Sequence, residues 1–215
     1  MTARLRRRLR AATTLLAVVP ALALAGCSGT QLSSGDQGFV TGDGAVSVLP
    51  EAEREAPAGE VAGETVDGDR VSLEEHEGKT VVIPVWGSWC APCRAEAPGL
   101  AAAARDLADD DVAFLGIDAR DRNKVDVRRF LERFDIPYDS IHDEDGQTML
   151  AFRGTLPPMS IPSFVFVDAE GRVAARILGE ADLPTLYGVL EELTGKDLTV
   201  PRDVPAPDAG DAEDA

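Results

Sequence analysis

An apolar run over residues 81–86 ends at Trp86, and Gly87-Ser88-Trp89-Cys90-Ala91-Pro92-Cys93 follows at once. A nearly continuous run of that length reads as a strand buried on both faces. The Ala-rich stretch from Pro92 to about residue 107 reads as a helix. The two cysteines therefore stand where a buried strand gives way to a helix. The first turn of a helix presents unpaired N–H groups and the positive end of the dipole, and both stabilise a thiolate. Cys90 is expected to have a lowered pKa and to be the more exposed sulfur, hence the nucleophile. Cys93, one turn later, can attack a mixed disulfide formed at Cys90. Pro92 at the helix start forfeits no hydrogen bond and stiffens the loop between the sulfurs.

Other uses of the pair are weaker. A purely structural bridge around so short a loop would stabilise the fold by only about 2 kcal/mol, against roughly 4.7 for a hundred-residue loop. A zinc site needs two more ligands, and the two histidines, His76 and His142, are single and unpatterned. The expectation is redox chemistry with no metal and no cofactor beyond the dithiol itself.

The pattern around the motif alternates strands and helices. Residues 66–71 (Val-Asp-Gly-Asp-Arg-Val) read as a tight hairpin. Residues 112–117 read as one more buried strand. Val127, Phe130, Leu131 and Phe134 follow the i, i+3, i+4, i+7 spacing of an amphipathic helix. Residues 163–167 and 173–178 read as strands around the turn at 168–171. Leu183, Leu186, Tyr187, Leu190 and Leu193 line one face of a closing helix, with Pro184 in its first turn. The order β-β-α-β-α-β-α-β-β-α implies a mixed sheet with helices on both faces.

The N-terminus reads as a targeting segment. Arg4, Arg6, Arg7, Arg8 and Arg10 precede a short apolar run that Thr13, Thr14 and Pro20 interrupt, which is the pattern of a secretory signal. Its end, Leu24-Ala25-Gly26-Cys27, resembles the lipobox of bacterial lipoproteins. That resemblance implies cleavage before Cys27, acylation of its thiol and attachment to the extracytoplasmic side of the membrane. An uncleaved signal anchor with an incidental cysteine is the alternative. The expected organisation is a signal over 1–26, a flexible tether over 27–63, a domain over 64–196 and a disordered acidic tail over 197–215. Within the tether, residues 39–40 and 46–49 are apolar enough to add an edge strand or to pack loosely.

Charge narrows the partners. The 215 residues carry 38 acids against 21 basic residues, a formal −17, and the signal removes five arginines and no acid, leaving −22. Such a polyanion repels nucleic acids and anionic headgroups.

The stretch 86–98, WGSWCAPCRAEAP, resembles the thioredoxin superfamily, specifically the TlpA/ResA-like thiol–disulfide oxidoreductases. The resemblance spans about residues 64–193. It implies a thioredoxin fold, a central mixed sheet flanked by helices, with an N-terminal hairpin and an inserted β–α unit between Asp118 and Pro162. Pro98 falls where the family kinks its first long helix. Ile161-Pro162 falls where the family carries a cis-proline facing the cysteines, leaving the backbone of Ser160 and Ile161 to pair with an extended substrate. Trp89, Ala91, Pro92, Ile161 and Pro162 are thus the implied substrate-contacting residues, with Trp89 an exposed apolar contact and Trp86 core.

One position departs from the family. Six residues before Cys90, thioredoxins place a buried aspartate and many relatives an asparagine, whereas here Pro84 stands. Proline in a central strand removes a donor, so a bulge or irregular pairing is expected. Glu96, matching a glutamate of the ResA-like branch, is the substitute candidate for taking the proton from Cys93. A solvated acid in an early helical turn is the simpler alternative.

The resemblance implies reduction of client-protein disulfides by the Cys90–Cys93 dithiol, with electrons from a membrane thiol relay and cytochrome c maturation as one setting. Three rivals stand: a disulfide-forming oxidase of the same fold, a peroxidase, and a non-catalytic lipoprotein binding module.

Overall fold

The computed structural model describes residues 40–41, 46–202 and 204. The signal, Cys27 and most of the acidic tail lie outside the described residues.

The core of the fold is strand β5 (Thr80–Trp86), whose seven residues are all buried. Counting along the chain, it is preceded by β1 (Val40–Thr41), β2 (Val46–Val48), β3 (Ala62–Glu64) and β4 (Arg70–Ser72). It is followed by α1 (Ala91–Asp106), β6 (Val112–Phe114), β7 (Gly116–Ala119) and α2 (Lys124–Arg133). The chain then runs through β8 (Ser140–Asp143), β9 (Ser163–Val167), β10 (Val173–Leu178) and α3 (Leu183–Thr194). The main sheet runs β1-β2-β10-β9-β5-β7-β8, with β6 also on β5. β5 pairs antiparallel with β9 and parallel with β6 and β7, so the sheet is mixed as expected.

Alternation along β5 divides the interior. Val82 packs with Leu100 and Ala103 of α1 and Leu186, Tyr187 and Leu190 of α3. Val81, Ile83 and Val85 pack on the other side with Val165, Leu115 and Ile117. There Met149, Ala151 and Phe152 belong to a 3-10 helix (Thr148–Phe152), where the sequence order implied a further α-helix. The hairpin β3–β4 adds Val61 and Val71 to the same side and forms a separate two-stranded sheet.

Of the two outcomes expected of Pro84, a bulge or irregular pairing, the structure has the second, and on one side of the strand only. The register of β5 against β9 is unbroken from Val81↔Val167 to Val85↔Ser163, with Pro84 opposite Phe164. The irregularity falls on the parallel side, where the expected strand 112–117 is split into β6 and β7 at Leu115. Leu115 donates its N–H to Val82 O at 3.1 Å. In a parallel ladder its carbonyl would then accept from the N–H of residue 84, which proline lacks. The register itself continues across the gap, from Val82↔Phe114 to Val85↔Ile117.

The stretch expected to be a tether is docked wherever it is described. β2 pairs with β10, Val173 N donates to Glu55 O, Ala58 N donates to Ala151 O, and Leu49 and Val61 are buried. Its side chains offer little apolar area, and main-chain pairing to the β10 edge supplies what composition does not show. At the other end, Leu198 is buried and Val200 packs beside it, so the domain runs past residue 196.

Candidate active site

Cys90 is the N-cap of α1, and its Sγ accepts the backbone N–H of Cys93 at 3.2 Å. Ser, Thr, Asp or Asn usually fills that position with an oxygen. Here a sulfur does, so a thiolate formed on Cys90 would sit against an N–H at the positive end of the helix. Cys90 and Cys93 form a disulfide, with Cα atoms 5.2 Å apart. Both residues are buried, Cys90 at 4% and Cys93 at 1% exposure. The ordering matches the expectation, but in the oxidised protein neither sulfur stands out from the surface. They share a cluster with Trp86, Ala97, Val127 and Phe130, against which Ile161 packs.

The residues around the disulfide fall into place as follows. Pro92 occupies the first turn of α1 and Pro98 lies within the helix. Ala91 is exposed. The Ile161–Pro162 bond is cis, Pro162 is buried, and Ile161 is half-buried among the apolar residues that hold the cysteines. Trp89 is 53% exposed. Trp86 is buried, stacks on Phe130 of α2 with centroids 4.1 Å apart, and donates Nε1–H to Ser140 Oγ at 3.3 Å.

Glu96 lies one turn beyond Cys93, half-buried, with Oε2 accepting Ala181 N–H at 3.2 Å. Burial, with the nearby Glu180 charge, pushes its carboxyl up to about 8, against the opposing pull of the Ala181 hydrogen bond. It lines a groove of about 280 Å³ with Pro92, Pro98, Glu180, Ala181 and Leu183. The groove runs from Glu96 to Pro92, which lies between Cys90 and Cys93 in the chain, and neither cysteine lines it.

Sequence reasoning missed the supports behind the site. Ser88 N–H donates to Asp121 Oδ2 at 2.6 Å, and Arg94 donates to Ser88 O at 3.1 Å, so the peptide groups on both sides of Ser88, two residues before Cys90, are held. Arg120, in a left-handed backbone conformation (φ 62°), donates to Pro158 O at 3.0 Å and so ties down the approach to Pro162. The short loop after β7 thus holds both the cysteine loop and the proline loop. The signal available was an unexpected pair of acids, Asp118 and Asp121, at the end of an apolar strand.

A family model described as the AhpC/TSA family matches residues 52–176. The chain belongs to the AhpC/TSA family of thioredoxin-like proteins. Among relatives of this AhpC/TSA protein, "Thiol-disulfide oxidoreductase ResA" of Bacillus cereus is 28% identical over 163 residues, covering 75% of this chain and 90% of the relative. A DsbF homologue from Corynebacterium diphtheriae superposes with a TM-score of 0.65 at 34% identity, covering 71% of this chain and 95% of the other. A secreted thiol-disulfide isomerase from Corynebacterium glutamicum superposes at 0.67 and 27% identity, over 74% and 97% of the two chains. The AhpC/TSA chain described here is a thiol–disulfide oxidoreductase, and the Cys90–Cys93 disulfide in CxxC spacing is its redox pair. No helix among the described residues is long and apolar enough to cross a membrane.

Proposed function

We propose that this protein is an extracytoplasmic, membrane-tethered reductase of client-protein disulfides. The observation that carries the reading is the Cys90–Cys93 pair at the α1 N-terminus, with Cys90 Sγ against the Cys93 N–H and Trp89 exposed beside it.

In the reduced protein, the Cys90 thiolate attacks one sulfur of a client disulfide. That S–S bond breaks, a Cys90–client disulfide forms, and the released client sulfur takes a proton. Cys93 gives its proton to Glu96 in its ionised form, which a minority of molecules hold at neutral pH, and attacks Cys90 Sγ. The second client sulfur leaves and is protonated. Two electrons have then passed from the protein to the client, and the Cys90–Cys93 disulfide is restored. A carboxyl whose pKa is about 8 is matched to this step, because its proton affinity lies close to that of a thiol. Trp89, Ala91, Pro92, Ile161 and Pro162 supply the client surface, and a membrane thiol relay re-reduces the pair. Cytochrome c maturation is the setting this reading favours. The lipobox-like Leu24-Ala25-Gly26-Cys27 supports anchoring through an acylated Cys27, and Cys27→Ser should release the protein from membranes.

The reduction potential tests the direction. Equilibration with glutathione should give a value more negative than about −230 mV, below the glutaredoxin range. A value near about −120 mV, that of a strong oxidant, would overturn the reductase reading in favour of the oxidase.

A further inference from the structure

Behind the cysteine loop lies a group of buried polar side chains that the thiol–disulfide exchange does not use. Asp118 faces Trp86 across the β5–β7 ladder and His142 across the β7–β8 ladder. Asp118 Oδ2 and His142 Nδ1 are 2.6 Å apart, with side-chain exposures of only 1% and 7%. Asp118 Oδ1 and His142 Nε2 are buried without a hydrogen-bond partner among the described residues. Buried polar atoms left in this state call for a reason beyond packing. Asp121, also buried, lies beside Asp118 and accepts the Ser88 N–H.

We propose that His142, Asp118 and Asp121 form a buried proton-holding cluster that sets the charge behind the cysteine loop, with Asp121 as a positioning residue for Cys90. The inference rests on the reading of Cys90 as the nucleophile. Its path is short: His142 to Asp118, Asp118 to Asp121, Asp121 to the Ser88 N–H, and Ser88 two residues from Cys90. Two adjacent buried carboxyls cannot readily both ionise, so one proton is shared between them. Burial first, then the neighbouring Asp121 and Asp143 carboxyls, push Asp118 up to about 9. Asp118 therefore holds a proton at neutral pH, and Asp121 is the carboxyl that meets the loop, through the Ser88 N–H.

The surrounding charges leave that arrangement in place. Asp143 of β8 adds a further acid and accepts Met149 N–H. Arg94 of α1 and Arg120 donate to the carbonyls of Ser88 and Pro158. On the β3–β4 hairpin, Glu64 and Arg70 are exposed, and Arg70 pairs with Glu60. A negative Asp121 opposes a thiolate on Cys90 while holding its loop in place, so the cluster restrains the nucleophile and makes its reactivity depend on pH above the ordinary carboxylate range.

The test is the pH profile of iodoacetamide alkylation of the reduced full-length chain between about pH 5 and 10, with the modified cysteine identified by mass. Asp121→Asn keeps an oxygen to accept the Ser88 N–H but removes the charge, and should lower the Cys90 pKa by about half a unit or more. Asp118→Asn should erase an alkaline inflection above about pH 8 that the unsubstituted protein shows. A Cys90 titration unchanged in both variants overturns the proposal. Preferential alkylation of Cys93 would instead overturn the assignment of the nucleophile. A measurement without substitution covers the case of variants that fail to fold. In the oxidised protein, which has no Cys90 or Cys93 thiol to titrate, the Ser88 amide proton shift should move with an inflection near about pH 9. A flat Ser88 shift across that range overturns the proposal.

Discussion

Glu96 Oε2 accepts the backbone N–H of Ala181, which fixes a carboxyl of α1 against the loop leading into α3, one helical turn from Cys93. The single hydrogen bond does not offset the burial, and the carboxyl holds its proton up to about 8, against an ordinary value of 4.5.

A pH dependence of stability follows. Between those two values the folded chain keeps a proton on Glu96 that the unfolded chain has lost, so Glu96 makes stability fall as pH rises through the window and level off above it. Asp118 acts in the same sense, which makes the difference between variant and parent the informative quantity. Glu96→Gln should melt at a higher temperature than the parent at about pH 8, with the gap closing towards about pH 5. Scanning calorimetry at several pH values checks this, and parallel curves for the two proteins would contradict it.

The two tryptophans of the motif should separate stability from recognition. Trp86 is buried, stacked on Phe130 and bonded to Ser140, so Trp86→Ala should lose about 3–5 kcal/mol in urea unfolding. Trp89 is exposed, so Trp89→Ala should change stability by no more than about 0.5 kcal/mol. It should nevertheless slow reduction of a protein disulfide more than reduction of a small aromatic disulfide, as measured by stopped-flow fluorescence.

Gly116 tests how closely β7, β8 and Trp86 are fitted. A Cβ at this position would lie 2.2 Å from Ser140 Oγ and 3.0 Å from Trp86 Nε1, inside the hydrogen bond those two groups share. Gly116→Ala should therefore cost about 1–3 kcal/mol of stability by overpacking. Denaturant titration measures the loss, and adding Ser140→Gly to the same chain should recover part of it.

The parts of this protein legible in its sequence were those in which neighbours along the chain carry the signal. The apolar run into Trp86, the CxxC spacing, the Asp67-Gly68 turn and the Val127–Phe130 periodicity each depend on residues a few positions apart. The cis bond before Pro162 was implied by family resemblance and is present. What escaped depends on pairing between distant strands. Asp118 and His142 meet because β7 and β8 run parallel in one register, and nothing local announces that contact. The docking of residues 46–63 rests largely on main-chain hydrogen bonds, which side-chain composition does not reveal. Pro84 was recognised as disruptive, but which neighbour would absorb the missing donor depended on β6 and β7 lying to one side of β5 and β9 to the other.

The central claim is exchange between the Cys90–Cys93 pair and client disulfides, and trapping tests it most directly. In Cys93→Ala the attack on Cys90 Sγ that resolves the mixed disulfide is lost, so clients should accumulate as reducible adducts on Cys90 in the cell envelope. Non-reducing electrophoresis followed by mass spectrometry identifies them. The expected result is a set of adducts that disappears when Cys90→Ala is added. An envelope in which Cys93→Ala carries no such adducts would contradict the account and leave the CxxC pair without a client.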